Sequence, residues 1–206
     1  MVQVEFVDEP DWFDSDVRLP GNQFVAANPE VDPDKLPTYW RKSIDYARTS
    51  YDETCCYLAC WIPPGTGSES IDHFRPKSKH YEYVYEWSNY RYSALLPNSL
   101  KREHEDVADP FLIPQDFLQM DVPSLMVLPD PSLSEMDLGL ARSTIRRLKL
   151  NDHSKCIESR QCWVDGFARG KFPFDFLQEV APFVARQLVR LGLNSSERLR
   201  EKYLIA

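Results

Sequence analysis

Apolar and polar positions alternate in several distinct rhythms along the 206 residues, and those rhythms predict the elements. From Leu36 to Tyr51, Tyr39, Trp40, Ile44, Ala47 and Tyr51 recur near helical spacing, with Pro37 suited to an opening turn, so a helix is predicted there. Cys55 to Ile62 is a short apolar run closed by Pro63, Pro64 and Gly65, and it reads as a strand; Glu69 to Phe74 reads as a second. Tyr81, Tyr83, Tyr85, Trp87, Tyr90 and Tyr92 alternate as one half-buried strand would, which points to core packing rather than base stacking. Asp109 to Pro114 is an apolar segment between prolines, and Leu125 to Leu128 suits an edge strand. Ser134 followed three positions later by Asp137 is a capping signature, and Leu138, Ala141, Ile145 and Leu148 then form the apolar stripe of a helix. Amphipathic stretches follow from Ser154 to Phe167 and from Phe174 to Leu191, with a last one starting near Ser195.

The first 35 residues differ in kind. Pro10, Pro20, Pro29 and Pro33 punctuate them, and they read as an extended, loop-rich arm. The expected organisation is an acidic arm over 1–35, a helix and small α+β core over 36–108, and a helical region over 109–206.

Composition narrows the function classes. With 43% apolar residues and 13% aromatics the chain can bury a core, which excludes a disordered protein. No apolar run approaches the roughly 18 residues needed to cross a bilayer, and the start is acidic where a secretory leader is basic. A cytoplasmic location without membrane partners is the expectation. The odd number of cysteines, Cys55, Cys56, Cys60, Cys156 and Cys162, fits reduced thiols. The net charge of −8 is unevenly distributed: nine acids face only Arg18 and Lys35 before residue 36, which accounts for −7 of it. The rest of the chain is close to neutral, and a nucleic-acid partner is compatible with that.

Candidate chemistry concentrates in Ile71-Asp72-His73-Phe74-Arg75-Pro76-Lys77-Ser78, then Trp87-Ser88-Asn89, then Pro97-Asn98-Ser99-Leu100-Lys101. Oxygen donors, an imidazole and cations lie within about thirty residues. On a strand Asp72 and His73 point to opposite faces, so each can take a different role. Carboxylate and amide oxygens suit a hard cation such as Mg²⁺, and an imidazole can take a proton near neutral pH. The remaining histidines, His80, His104 and His153, fit no motif and read as surface residues. Arg142, Arg146 and Lys149 line one side of the helix after Ser134 with Arg147 beside them, an exposed face that could also meet phosphate.

Asp-His-x-x-Pro on a strand, a middle Asn and a final Asn-x-x-Lys together resemble the HNH, or ββα-metal, nuclease motif. More narrowly, Asp-His-Phe-Arg-Pro-Lys-Ser, Tyr85-Glu86-Trp87-Ser88-Asn89, Asp109-Pro110-Phe111 and Thr144 to Asn151 resemble the PtuB-like nuclease subunits of Septu and retron anti-phage systems. The likeness spans roughly residues 40 to 160. It implies a ββα core near residues 54 to 108 and a DNA endonuclease in which Asp72 and Asn98 bind one Mg²⁺ or Mn²⁺. It further implies that His73 is the general base, that Asn89 holds the loop through backbone hydrogen bonds, and that Arg75, Lys77 and Lys101 meet the substrate backbone. An ATPase or other defence-system partner is implied as well. The sequence departs from the group at its zinc knuckle. Cys55-Cys56-Tyr57-Leu58 and Ala94-Leu95-Leu96-Pro97 stand where two cysteine pairs occur, so one of four ligands remains and no structural zinc is expected. Cys55, Cys56 and Cys60 then read as small buried apolar side chains. A noncatalytic interaction module on the same scaffold, or a ribonuclease of the same chemistry, are the alternative functions.

Overall fold

The computed structural model describes residues 1–65 and 68–203, and it divides them into two compact units. One comprises Glu5–Cys55 and Ile62–Glu105; the other comprises Met1–Val4, Cys56–Trp61 and the chain from Asp106 onward. Among the described residues the fold is α+β, with helices and two separate two-stranded antiparallel sheets. None of these helices is long and apolar enough to cross a membrane.

In the first unit part of the segment expected to be extended is helical instead. Residues 5–35 belong to this unit rather than forming a separate extended arm, and a π-helical turn, Asp14–Arg18, runs into α1, Leu19–Ala27. Pro20 is the second residue of α1, directly after the π-helical turn, so its missing N–H falls where the helical hydrogen bonding changes from the π to the α pattern. Tertiary packing decides the conformation: Phe13 and Val17 have no exposed surface, and the Phe13 ring meets Trp87 and Tyr90 edge-on. Arg18 fixes the segment through Asp14 at 2.9 Å, Glu86 at 3.0 Å and Glu9.

The helix predicted over 36–51 begins later, as a 3₁₀ turn, Tyr39–Ser43, that continues into α2, Ile44–Ser50. The strand expected over 55–62 does not form. Asp52, Glu53 and Ala59 adopt φ of 48°, 54° and 48°, which breaks an extended run into turns. The second expected strand is present as β1, Glu69–His73. It pairs with β2, Tyr90–Ala94, in the register Asp72↔Arg91 and His73↔Tyr90. The aromatic run is therefore not one strand: residues 81–83 and 87–89 are 3₁₀ turns, and only Tyr90 and Tyr92 lie on β2, both almost fully buried. α3, Leu95–Lys101, follows at once and completes a ββα unit. Its first turn has no side-chain cap of its own, but the Cys55 thiol accepts from the Ala94 N–H at 3.3 Å. Cys55 and Cys56 are buried as expected, whereas Cys60 is half-buried.

In the second unit β3, Leu118–Asp121, and β4, Met126–Pro129, form a hairpin. Amide side chains satisfy backbone groups beside it: Gln187 accepts from Met120 N at 3.1 Å, while Asn151 accepts from Val127 N and donates to Val127 O. β4 lies one residue further along than the strand predicted over Leu125 to Leu128, because Leu125 adopts φ 58° in the turn. α4, Glu135–Arg147, starts on the predicted cap, with Ser134 Oγ accepting from Asp137 N. Its buried face includes Ser143 and Thr144 besides Ala141, because Thr144 Oγ1 accepts from Ala108 N and Ser143 donates to Asp106. α5 is Ser154–Ala168. The stretch predicted over 174–191 is two helices, α6, Phe174–Val180, and α7, Pro182–Arg190, because Ala181 leaves the helical region (φ −147°) ahead of Pro182. α8 is Ser196–Tyr203.

Candidate functional site

Strand alternation sorts the residues of the ββα unit onto two faces. Ser70, Asp72, Arg91 and Ser93 share one; Ile71, His73, Tyr90 and Tyr92 share the other. α3 attaches to the first. Asn98 and Lys101 are one turn apart on it and therefore neighbours on its surface. Asn98 Nδ2 donates to Ser70 Oγ at 3.0 Å and to Ile71 O at 3.3 Å, which leaves Oδ1 as its remaining polar atom. Lys101 Nζ lies 3.3 and 3.2 Å from the two Asp72 carboxylate oxygens and donates to His73 O at 3.0 Å. Asp72 is 3% exposed and Lys101 0%. Lys101, expected to meet phosphate, is thus buried against the acid expected to bind metal.

His73 faces the other way and is 9% exposed. The Trp40 and Tyr90 rings meet it edge-on, with centroids at 4.8 and 5.3 Å. Its Nε2 lies 3.0 Å from Val84 O. A carbonyl oxygen only accepts, so Nε2 carries the proton and Nδ1 keeps the lone pair. Burial pushes the imidazole down to about 3, the hydrogen bond to Val84 opposes this, and the charges on Lys77 and Lys101 add to it. The ring is neutral near pH 7 and can accept a proton only at Nδ1.

Asn89 closes the long connection between the strands. Its Oδ1 accepts from Arg75 N at 2.7 Å, while Nδ2 donates to Arg75 O at 3.1 Å and to Tyr83 O at 3.0 Å. The backbone adds Phe74 N to Asn89 O at 2.9 Å. One 4%-exposed side chain therefore joins the end of β1 to the middle of the loop that carries the Val84 carbonyl.

Of the three expected substrate-binding residues, Lys101 has no exposed surface, whereas Arg75 and Lys77 lie on the loop after β1. Arg75 is exposed and stacks over the Tyr83 ring at 4.1 Å. Lys77 donates to Pro33 O at 2.7 Å and pairs with Asp34 at 3.0 Å, so the acidic segment engages it. Two residues that sequence reasoning missed belong to the site: Arg91, opposite Asp72 and 4% exposed, and Trp40, against His73. Neither stands in the quoted motif, and only the strand register and the packing of the 3₁₀ turn bring them there.

Among the described residues no group of three or more His, Cys, Asp or Glu side chains is placed to hold a metal ion. A divalent ion here would depend on the Asp72 carboxylate, the Asn98 amide oxygen and water. Those donor types fit Mg²⁺ or Mn²⁺, which keep several waters; the carboxylate itself is engaged by Lys101. Comparison of the chain with models of known protein families and with the sequences of curated proteins finds no match.

Proposed function

We propose that this chain is a metal-dependent endonuclease of the HNH type that hydrolyses nucleic-acid phosphodiester bonds, DNA in preference to RNA. The observation that carries the reading is the β1–loop–β2–α3 unit, in which Asn89 ties the loop at both Arg75 and Tyr83 while α3 lays Asn98 beside the strand bearing Asp72 and His73. In this reading Asp72 and Asn98 hold one Mg²⁺ or Mn²⁺, which when bound supplies charge stabilisation at the scissile phosphate and its leaving oxygen. His73 takes the proton of the attacking water at Nδ1, the nitrogen left unprotonated by the Nε2 hydrogen bond to Val84 O; burial makes the ring a weak base, so this role requires water to enter the sheet face that the ring occupies. Trp40 and Tyr90 restrict solvent around the ring. Arg75 contributes positive charge from the loop. An anti-phage setting with an ATPase partner rests on the sequence resemblance.

The Lys101–Asp72 pair favours a second reading, a noncatalytic module that keeps the scaffold for assembly, because a carboxylate neutralised by a buried lysine is a structural unit in itself. Incubating the purified chain with plasmid, linear DNA and total RNA in Mg²⁺ or Mn²⁺ separates these readings. Nicking of plasmid that disappears in Asp72→Ala and in His73→Ala is the expected result. No cleavage of any substrate, or full cleavage by both variants, overturns the assignment, and cleavage of RNA alone selects the ribonuclease.

A further inference from the structure

The atoms around the Lys101 ammonium are those a hard cation takes: both Asp72 carboxylate oxygens at 3.2 and 3.3 Å and the His73 carbonyl at 3.0 Å. Lysine is among the residues least often fully buried, yet this one has no exposed surface. Arg102, next in the chain, ends α3 at φ 49°, an uncommon state for a residue with a Cβ, so the helix end is fixed where Lys101 turns inward. A Mg²⁺ ion bonded to Asp72 would sit about 2.1 Å from a carboxylate oxygen, and hence within a few ångströms of Nζ where that now lies. At that spacing, away from bulk water, a divalent ion and an ammonium repel too strongly for both to keep their places.

We propose that Lys101 is a built-in competitor for the divalent cation at Asp72, so that the cation binds only as the ammonium withdraws from the carboxylate. The proposal rests on the nuclease reading and adds a regulatory element to it: α3 carries both a ligand, Asn98, and the group that keeps the other ligand occupied. Loss of the Lys101 charge, or its withdrawal from Asp72, then raises metal affinity while the other neighbours of Asp72, Arg91 among them, stay in place.

Titration of the full chain with MnCl2, followed by electron paramagnetic resonance of the free ion, tests this together with mass-spectrometric mapping of lysine acetylation. Lys101→Met is expected to bind Mn²⁺ at least tenfold more tightly than the wild-type chain, and Asp72→Asn to lose the binding. In the wild-type chain Lys101 should resist acetylation without the ion and react at least tenfold faster when saturated with it. Equal Mn²⁺ affinity in wild type and Lys101→Met, with Lys101 still protected at saturation, overturns the competition but leaves the nuclease reading in place. No binding by either protein at millimolar MnCl2 overturns both. If Lys101→Met does not fold, the wild-type acetylation pattern decides alone: protection of Lys101 that millimolar MnCl2 leaves unchanged overturns the proposal.

Discussion

Replacing Asn89 tests how firmly the loop between β1 and β2 is held. Asn89→Ala removes three hydrogen bonds of 2.7, 3.1 and 3.0 Å and leaves the Arg75 N–H and the carbonyls of Arg75 and Tyr83 without that partner. Each bond contributes a net ~1 kcal/mol, and an unsatisfied buried group costs ~1–3 kcal/mol; with Arg75 exposed enough for partial rehydration, the sum comes to about 3 kcal/mol. Asn89→Asp sharpens the test. It keeps the acceptor for Arg75 N but turns a carboxylate oxygen toward two carbonyl oxygens that Nδ2 now satisfies. Near neutral pH this variant should be less stable than Asn89→Ala. The sign with pH follows from linkage: the buried acid binds its proton more readily in the folded than in the unfolded chain, where its pKa is ~3.9, so its stability relative to wild type rises as pH falls through the raised folded value. Protonation then supplies an O–H for one of the carbonyls. Urea unfolding monitored by tryptophan fluorescence, with Trp87 in the same 3₁₀ turn as Asn89, measures all three proteins at pH 7 and pH 5. A loss below ~1 kcal/mol in Asn89→Ala, or an Asn89→Asp deficit that does not shrink on acidification, would refute the reasoning.

Gly21→Ala should destabilise the chain although alanine favours helices, because a Cβ at this position would overlap the buried Tyr85 ring, whose hydroxyl is held on Pro37 O at 2.9 Å; a cost of ~1–3 kcal/mol is expected, and an unchanged or higher melting temperature would contradict it. Glu69 is held below the usual carboxylate range by the Arg48 guanidinium at 2.8 Å, with Tyr92 also donating to it. Its stabilisation is therefore complete above the unfolded-state pKa and fades as pH falls through the lower folded value, so the advantage of wild type over Glu69→Gln in urea should vanish at acid pH; an advantage that persists at pH 2 argues against the pair.

The likeness to a nuclease motif was readable from residue types and spacing, yet its physical content depends on neighbours. The resemblance implied that Asn89 holds the loop after the strand bearing Asp72 and His73, and the three Asn89 bonds to Arg75 and Tyr83 have that form. The Lys101 motif position implied phosphate contact, but α3 turns this side chain into the unit and onto Asp72. A heptapeptide helix carries no sequence signal for which of its faces a strand will cover.

What the chain determined by itself is local. Ser134 and Asp137 marked the start of α4 through a cap that needs only four residues, and Glu69 to Phe74 was legible as a strand, which forms as β1. Class α+β followed from these rhythms. What only tertiary structure decided are the segments whose local preference was weak or contrary. Prolines suggested an extended arm before residue 36, but burying Phe13 and Val17 made residues 14–27 helical. Alternating aromatics suggested one strand, but Asn89 and the Val84 carbonyl needed turns, and β2 begins only at Tyr90. Local propensities are worth tenths of a kcal/mol per residue, whereas burying one aromatic side chain is worth about 2 kcal/mol, so packing prevails wherever the two disagree.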